Sequence, residues 1–345
     1  MDKKVKKALE KIPTKKIGFF PTPLHKLNNI SKKYGVEIYM KRDDLSGPEF
    51  GGNKIRKLEF IVSDALVKKA EYIITYGAIQ TNHGRETIAA SRMYGLKPIL
   101  YLIVEEEPKE FKGNLLLDKI MDAEIHYVIP APGMGAYEAV VAASENAKDR
   151  INELEAEGHI CYDCPAGGFT PLGCLGFVQG FIELEDQLKK KSLEVDYIIH
   201  ATGSGGTLAG LLAGKFITGS GTRIISFSVD KETPDKVDKI SESVREIGRL
   251  INVDIKNFSK EINIDSNYYG QGYEIPSDGS TAAIKELAKE EGIILDPVYT
   301  AKAMNGLLDY IKSGKIAKGE KVVFWHTGGT PAIFSEREIV GKVYD

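Results

Sequence analysis

Cysteine is scarce in this 345-residue chain. Three thiols cannot make a full disulfide framework, and a chain of this length does not need one. A reducing cytoplasm is the expected setting. An excess of positive charge is also missing. The formal net charge is −3, which speaks against a nucleic-acid partner, since such proteins normally present a basic face. No apolar run is long enough to cross a bilayer, so no membrane partner is expected. The N-terminal MDKKVKKALEKIPTKK has lysines but no apolar h-region and no small-residue cleavage site; it reads as a short surface helix ended by Pro13. Solenoid-length repeats and low-complexity tracts are absent too.

What is present suits a globular α/β protein. Apolar residues make up 42% and charged residues 28%, and the length exceeds what one core usually holds, so two lobes are expected. From residue 55 the pattern alternates: a helix to about Lys69, the strand EYIITYG, a turn AIQTN, a helix from His83 to Tyr94, and the strand KPILYLIV. A helix near Asn114–Met121, the strand EIHYVIP, a helix from Tyr137 to Glu157 and the strand HICYD follow. Strict alternation implies right-handed βαβ units and a mainly parallel sheet. These elements form a small lobe, 57–165, inserted into a large lobe made of 1–56 and 166–345. The glycine-rich AGGFTPLGCLGFVQG marks the crossing. The large lobe adds the strands VEIYMKRDDL, VDYIIHAT, RIISFSVD and EKVVFW with intervening helices; 252–277 resists assignment.

Several stretches carry candidate chemistry. KRDDLSGPEFGGNKIRKLE reads as a loop entering a helix, with Lys54, Arg56 and Lys57 as a solvated cationic face. Asp43 and Asp44, adjacent on a strand, point opposite ways and are expected to hold the loop rather than to act as a pair. Gly203-Ser204-Gly205-Gly206-Thr207 lies between a strand and a helix, where backbone N–H groups attract phosphate. It nearly matches a dinucleotide fingerprint, with Leu208 at the third glycine and Asp230 about twenty residues on, so a nicotinamide-dependent dehydrogenase is a rival reading. Gln80-Thr81-Asn82-His83 sits where α/β sites form, although helix capping alone explains it. His326-Thr327-Gly328-Gly329 repeats the pattern of strand, hydroxyl and glycines, and Tyr273 and Tyr299 stand in turns. His25 reads as a surface residue. Cys161-x-x-Cys164 has no third ligand nearby; it reads as half-buried thiols at a strand end, and no metal is expected.

Together these are the parts of a pyridoxal phosphate site: a lysine for the aldehyde, a loop for the phosphate, hydroxyls for the ring. The stretches KRDDLSGPEFGGNKIRKLE, GAIQTNHGR, ATGSGGTLAG, GQGY, ILDPVYTAKAM and FWHTGGTPAIF, in this order over residues 41–334, resemble the D-cysteine desulfhydrase / 1-aminocyclopropane-1-carboxylate deaminase family. That family lies in the tryptophan synthase β-like, fold-type II group. The resemblance implies a two-lobed fold, each lobe a mainly parallel sheet flanked by helices, and a homodimer. It implies that Lys54 binds the cofactor aldehyde and that Asn82 meets the ring hydroxyl. Gly203, Ser204, Gly205, Gly206 and Thr207 would hold the phosphate, and Thr327 would face the ring nitrogen. Gln80, Thr81, Tyr273 and Tyr299 would line the amino-acid substrate, with Lys54, Thr81 and Tyr299 catalytic. Thr81 stands where the family usually has serine, adding a methyl. Thr300 stands where the cyclopropane deaminases have glutamate, which favours elimination of D-cysteine to pyruvate, ammonia and hydrogen sulfide. Cyclopropane ring opening and L-cysteate sulfo-lyase activity are the alternatives.

Overall fold

The computed structural model describes residues 3–344. Its strands are β1 (Leu24–Lys26), β2 (Glu37–Arg42), β3 (Tyr72–Ala78), β4 (Lys97–Ile103), β5 (Glu124–Val128), β6 (Cys161–Asp163), β7 (Tyr197–Thr202), β8 (Arg223–Ser228), β9 (Ile264–Asp265) and β10 (Lys321–His326). Its α-helices are α1 (Lys3–Lys11), α2 (Asn28–Tyr34), α3 (Lys54–Val67), α4 (Asn82–Met93), α5 (Gly113–Ile120) and α6 (Ala136–Ala156), then α7 (Pro171–Lys190), α8 (Gly206–Thr218), α9 (Lys236–Leu250), α10 (Asp278–Glu291), α11 (Thr300–Lys312) and α12 (Arg337–Val340). Two sheets result. One has the order β1-β2-β10-β7-β8-β9, the other β5-β4-β3-β6. Every pairing is parallel except β1 on β2. The chain thus has the expected α/β class.

Parallel strands buried on both faces need apolar side chains on both. β7 is buried along its whole length. Ile198 packs toward Phe177, Leu211 and Ile240, whereas Tyr197 and Ile199 pack toward Leu287, Met304 and Leu307. α3 serves two cores. Phe60 joins the first cluster, while Ile55, Leu58 and Ile61 join a third with Ile73 of β3. The helix is therefore wedged between the sheets, and this fixes where its first residue, Lys54, points.

α3 crosses α7 closely at Gly176. A Cβ there would be driven into the backbone carbonyl of Arg56. Gly176→Ala should therefore destabilise the fold by about 1–3 kcal/mol, as overpacking does; urea unfolding followed by far-UV circular dichroism measures it.

The structure changes several expectations. α1 docks on the core through Val5 and Leu9. The unassigned 252–277 holds only a 3-10 turn at Ser259–Glu261 and the two-residue edge strand β9. Arg56 and Lys57 are not a solvated face; both are buried. Arg56 donates to Asp43 through Nε (2.7 Å) and Nη2 (2.8 Å) and to Glu183 (3.0 Å), and it lies over the Phe20 ring at 4.3 Å. Asp43 also accepts from Trp325 Nε1 (2.7 Å) and Thr22 Oγ1 (2.8 Å), and Lys41 pairs with Glu183. Asp44 instead bonds Arg42. His25 is half-buried, 3.5 Å from the same arginine. Cys161 is half-buried, and Cys164 and Cys174 are buried; all three are unpaired. Burial pushes the Cys164 thiol up to about 12 and Cys174 upward as well. No helix among the described residues is long and apolar enough to cross a membrane.

Candidate active site

The turns after β2, β3, β7 and β10 meet around Lys54, together with the loops that carry Tyr273 and Tyr299. Its Nζ donates to Asn53 Oδ1 (2.8 Å) and lies 6.0 Å from the centre of the Tyr299 ring. Asn53 Nδ2 in turn donates to Thr207 Oγ1 (3.1 Å), which joins the start of α3 to the start of α8. The Asn53 N–H donates to the Thr327 carbonyl at 2.9 Å. A Cβ placed on Gly329 would stand 2.8 Å from Asn82 Nδ2, and one on Gly203 would stand 3.4 Å from Tyr299 Cε1. Tyr299 and Tyr273 share a hydroxyl–hydroxyl bond of 2.6 Å. Lys54, Asn82, Gly203–Thr207, Tyr273, Tyr299 and Thr327 are thus brought together.

The turn before α8 is shaped for an anion. Gly205 has φ +98°, a left-handed backbone in which a side chain would meet Ile240 at 2.6 Å. From there the first N–H groups of a thirteen-residue helix are free to face a ligand. Thr202, just before the turn, has a buried hydroxyl without a protein partner. Lys57 adds a cation: its Nζ bonds the Gly167 carbonyl (2.9 Å) and stands 2.5 Å from where a Gly206 Cβ would be. The sequence reading put this lysine on a solvated face and gave it no place in the site, yet it lies three residues after Lys54, on the same helical face.

Burial pulls the Lys54 amine below its ordinary value, the neighbouring Lys57 adds to this, and Glu86 and Asp296 oppose it. Burial raises Glu86, whose Oε2 accepts from the Ile55 N–H (2.9 Å). A neutral share of Lys54 amine near neutral pH is the form that attacks an aldehyde or takes a proton. His83 is held well below its usual value by burial and by Lys54 and Lys57, so it is a neutral imidazole. Its Nε2 lies 2.9 Å from Thr75 Oγ1, in a supporting layer behind the lysine.

The turn before α4 places the remaining residues. Thr81 caps α4, accepting from the Gly84 N–H at 3.1 Å, and its own hydroxyl proton is free to donate. Its extra methyl lies over Gly84 and 3.0 Å from where a Gly77 Cβ would stand, so two glycines make room for it. Asn82 Oδ1 accepts from Asn114 Nδ2 (2.8 Å). The Gln80 amide is taken up by the Asn114 N–H (2.8 Å) and the Lys112 carbonyl (3.2 Å), so it braces the entry to α5. Burial raises both Tyr273 and Tyr299, which keeps them protonated. Asp296 receives the N–H groups of Val298, Tyr299 and Thr300 and the Thr300 hydroxyl (2.6 Å). Thr300 is thereby tied down, and this position offers the site no acid.

Lys302 is a further buried amine. It donates to the carbonyls of Gly272 (2.7 Å) and Val229 (3.2 Å), tethering the Tyr273 loop to the end of β8. Burial lowers it to about 8. A folded-state value below the unfolded one means that the unfolded chain binds more protons between the two. Wild-type stability should therefore rise, relative to Lys302→Met, as pH climbs from about 8 toward 10.5, by about 3 kcal/mol in all. Chemical unfolding of both proteins across that range checks the sign.

The residues present suit a phosphorylated aldehyde: a buried amine of lowered basicity, an orphan hydroxyl, and a helix N-terminus backed by a lysine. Comparison with known proteins agrees. The profile of the family described as "Pyridoxal-phosphate dependent enzyme" matches residues 16–328. A Pyrococcus furiosus protein named "Putative 1-aminocyclopropane-1-carboxylate deaminase" is 41% identical over 334 residues, 97% of each chain. A D-cysteine desulfhydrase of Serratia proteamaculans is 35% identical over 318 residues, covering 91% of this chain and 93% of its own. The crystal structure of an ACC deaminase homologue superposes with TM-score 0.86 at 37% identity, covering 97% of both chains. A threonine deaminase of Solanum lycopersicum shares the fold alone, with TM-score 0.67 at 19% identity over 100% of this chain and 88% of the other. The nicotinamide alternative falls with these findings. Its missing third glycine is Leu208, a fully buried core residue.

Proposed function

The chain belongs to the pyridoxal-phosphate dependent enzymes, and on that premise we propose that it is a lyase eliminating the β-substituent of D-cysteine or a related D-amino acid. D-Cysteine and water would yield pyruvate, ammonia and hydrogen sulfide. Pyridoxal phosphate, when bound, supplies an aldehyde that captures amines and a ring that acidifies the Cα–H of an attached amino acid. Lys54 would hold the aldehyde, and its amine would take the Cα proton of the substrate. The N–H groups of Gly203–Thr207 and the hydroxyls of Ser204 and Thr207 would hold the phosphate, Asn82 would hold the ring hydroxyl, and Thr327 the ring nitrogen. Thr81 orients the substrate with its free hydroxyl proton. Tyr299 delivers a proton to the departing sulfur, and Tyr273 shares it through their 2.6 Å bond.

The observation that carries elimination over ring opening is Thr300. A threonine here puts no carboxylate after Tyr299, and its hydroxyl is spent on Asp296. Cyclopropane ring opening remains the second reading because the 41% identical relative bears that name. Product assays on holoenzyme decide. Pyruvate and sulfide from D-cysteine, with little 2-oxobutanoate from 1-aminocyclopropane-1-carboxylate, support the reading, and the reverse result sinks it. A cytoplasmic homodimer completes the proposal. Exposed Phe19 and Leu45, on adjoining loops joined by the Phe19 N–H to Ser46 carbonyl bond, support it with apolar surface. Light scattering tests the dimer.

A further inference from the structure

Glu274 follows Tyr273 directly and takes a left-handed backbone, φ +59°, rare for a residue with a side chain. Its carboxyl lies near the backbone N–H of Gln80, which favours the charged form. The other oxygen, Oε1, is closed off from solvent and has no protein partner. A second carboxylate stands close by: Glu336 Oε2 lies 3.4 Å from Gln80 Nε2 and pushes Glu274 the same way as burial does. The charge of Glu274 is felt by both Tyr273 and Tyr299, the tyrosines that wall the site. Lys302 offsets it only at longer range, because its ammonium is given to the carbonyls of Gly272 and Val229. An unpartnered carboxyl oxygen, beside a second acid, thus stands next to the tyrosines that wall the site.

We infer that Glu274 sets which side chains the site accepts, favouring amino acids whose β-substituent is an uncharged thiol or hydroxyl over those bearing a sulfonate or carboxylate. A thiol or hydroxyl donates its hydrogen to Oε1. A sulfonate has no hydrogen to give, and the ionised share of Glu274, raised by burial and Glu336 to about 7, opposes its charge where water is largely excluded. This deepens the amino-acid lyase reading and rests on it. It selects, among the elimination substrates, against cysteate and for cysteine or serine.

The test compares DL-serine and DL-cysteate as ligands of the holoenzyme, with dissociation constants from the cofactor absorption band and, independently, from thermal shift. Wild type should bind serine more tightly than cysteate. Glu274→Gln should narrow that ratio by about tenfold or more, chiefly by gaining affinity for cysteate. Glu336→Gln should narrow it less, in the same direction. An unchanged ratio in Glu274→Gln, or tighter binding of cysteate by wild type, overturns the inference and leaves the lyase reading standing. If neither amino acid perturbs wild type by either readout, the amino-acid reading itself fails and this inference with it.

Discussion

Lys54→Ala folds but no longer keeps pyridoxal phosphate through borohydride reduction, and its turnover of D-cysteine falls by about 10²- to 10⁴-fold or further. The amine is the part of the site no neighbour can replace. Lys57, the next amine along the helix, is committed to the Gly167 carbonyl, and Lys302 to the carbonyls of Gly272 and Val229. Peptide mapping after reduction should find the label on Lys54 in wild type and no labelled peptide in the variant. Stability should survive the change, since among the described residues the Lys54 amine bonds only Asn53 beside it. Label on another lysine, or undiminished pyruvate release by the variant, would remove Lys54 from its role.

The largest loss of stability is expected from Arg56→Met. The substitution keeps the volume of the stem and strips the guanidinium from Asp43, Glu183 and Thr22. Removing one partner of a buried ion pair costs about 3–5 kcal/mol, because the other charge is left without compensation. The pH dependence carries a second signature. Burial alone would raise Asp43, but Arg56, Lys41 and Trp325 outweigh it and hold the carboxyl below its usual value. The contribution of Asp43 is therefore present above the ordinary carboxylate pKa and lost as pH falls through the lower folded-state value. The gap between wild type and Arg56→Met should shrink on acidification. A gap that stays constant from neutral to acid pH would show that the lost packing over Phe20, rather than the charge, sets the cost.

The same arginine shows what a sequence can reveal and what it cannot. The helix around it was legible: Ile55, Leu58 and Ile61 mark one face, and the structure begins α3 one residue earlier, at Lys54. That Arg56 and Lys57 would be buried was not legible. The acids that hold Arg56 lie 13 and 127 residues away, so their meeting is a property of the packed molecule. Fold class was readable because helices and strands alternate with clear periods. The stretch 252–277 was not, since its order comes from contacts such as Tyr310 with Asp265 (2.6 Å) rather than from a repeat. Around the site, glycines after strands pointed to the turns that do gather at Lys54. Glu274 escaped notice because nothing local distinguishes it from a surface glutamate; only the fold brings Gln80, which follows β3 of the other sheet, near its carboxyl. Gln80 itself was expected to face the substrate, whereas its amide bonds the Lys112–Asn114 turn.

Cys164 and Cys174, sealed in the interior as protonated thiols, turn the molecule into its own stopwatch. An alkylating reagent can modify them only during excursions that open the lattice of helices around them. Cys164 sits at the end of β6, beside β3, and Cys174 sits on α7 beneath the turn before α8. Their separate alkylation rates would therefore time the breathing of each sheet's neighbourhood. The ratio of those rates, with and without the B6 vitamer, would reveal which neighbourhood ligand binding quietens.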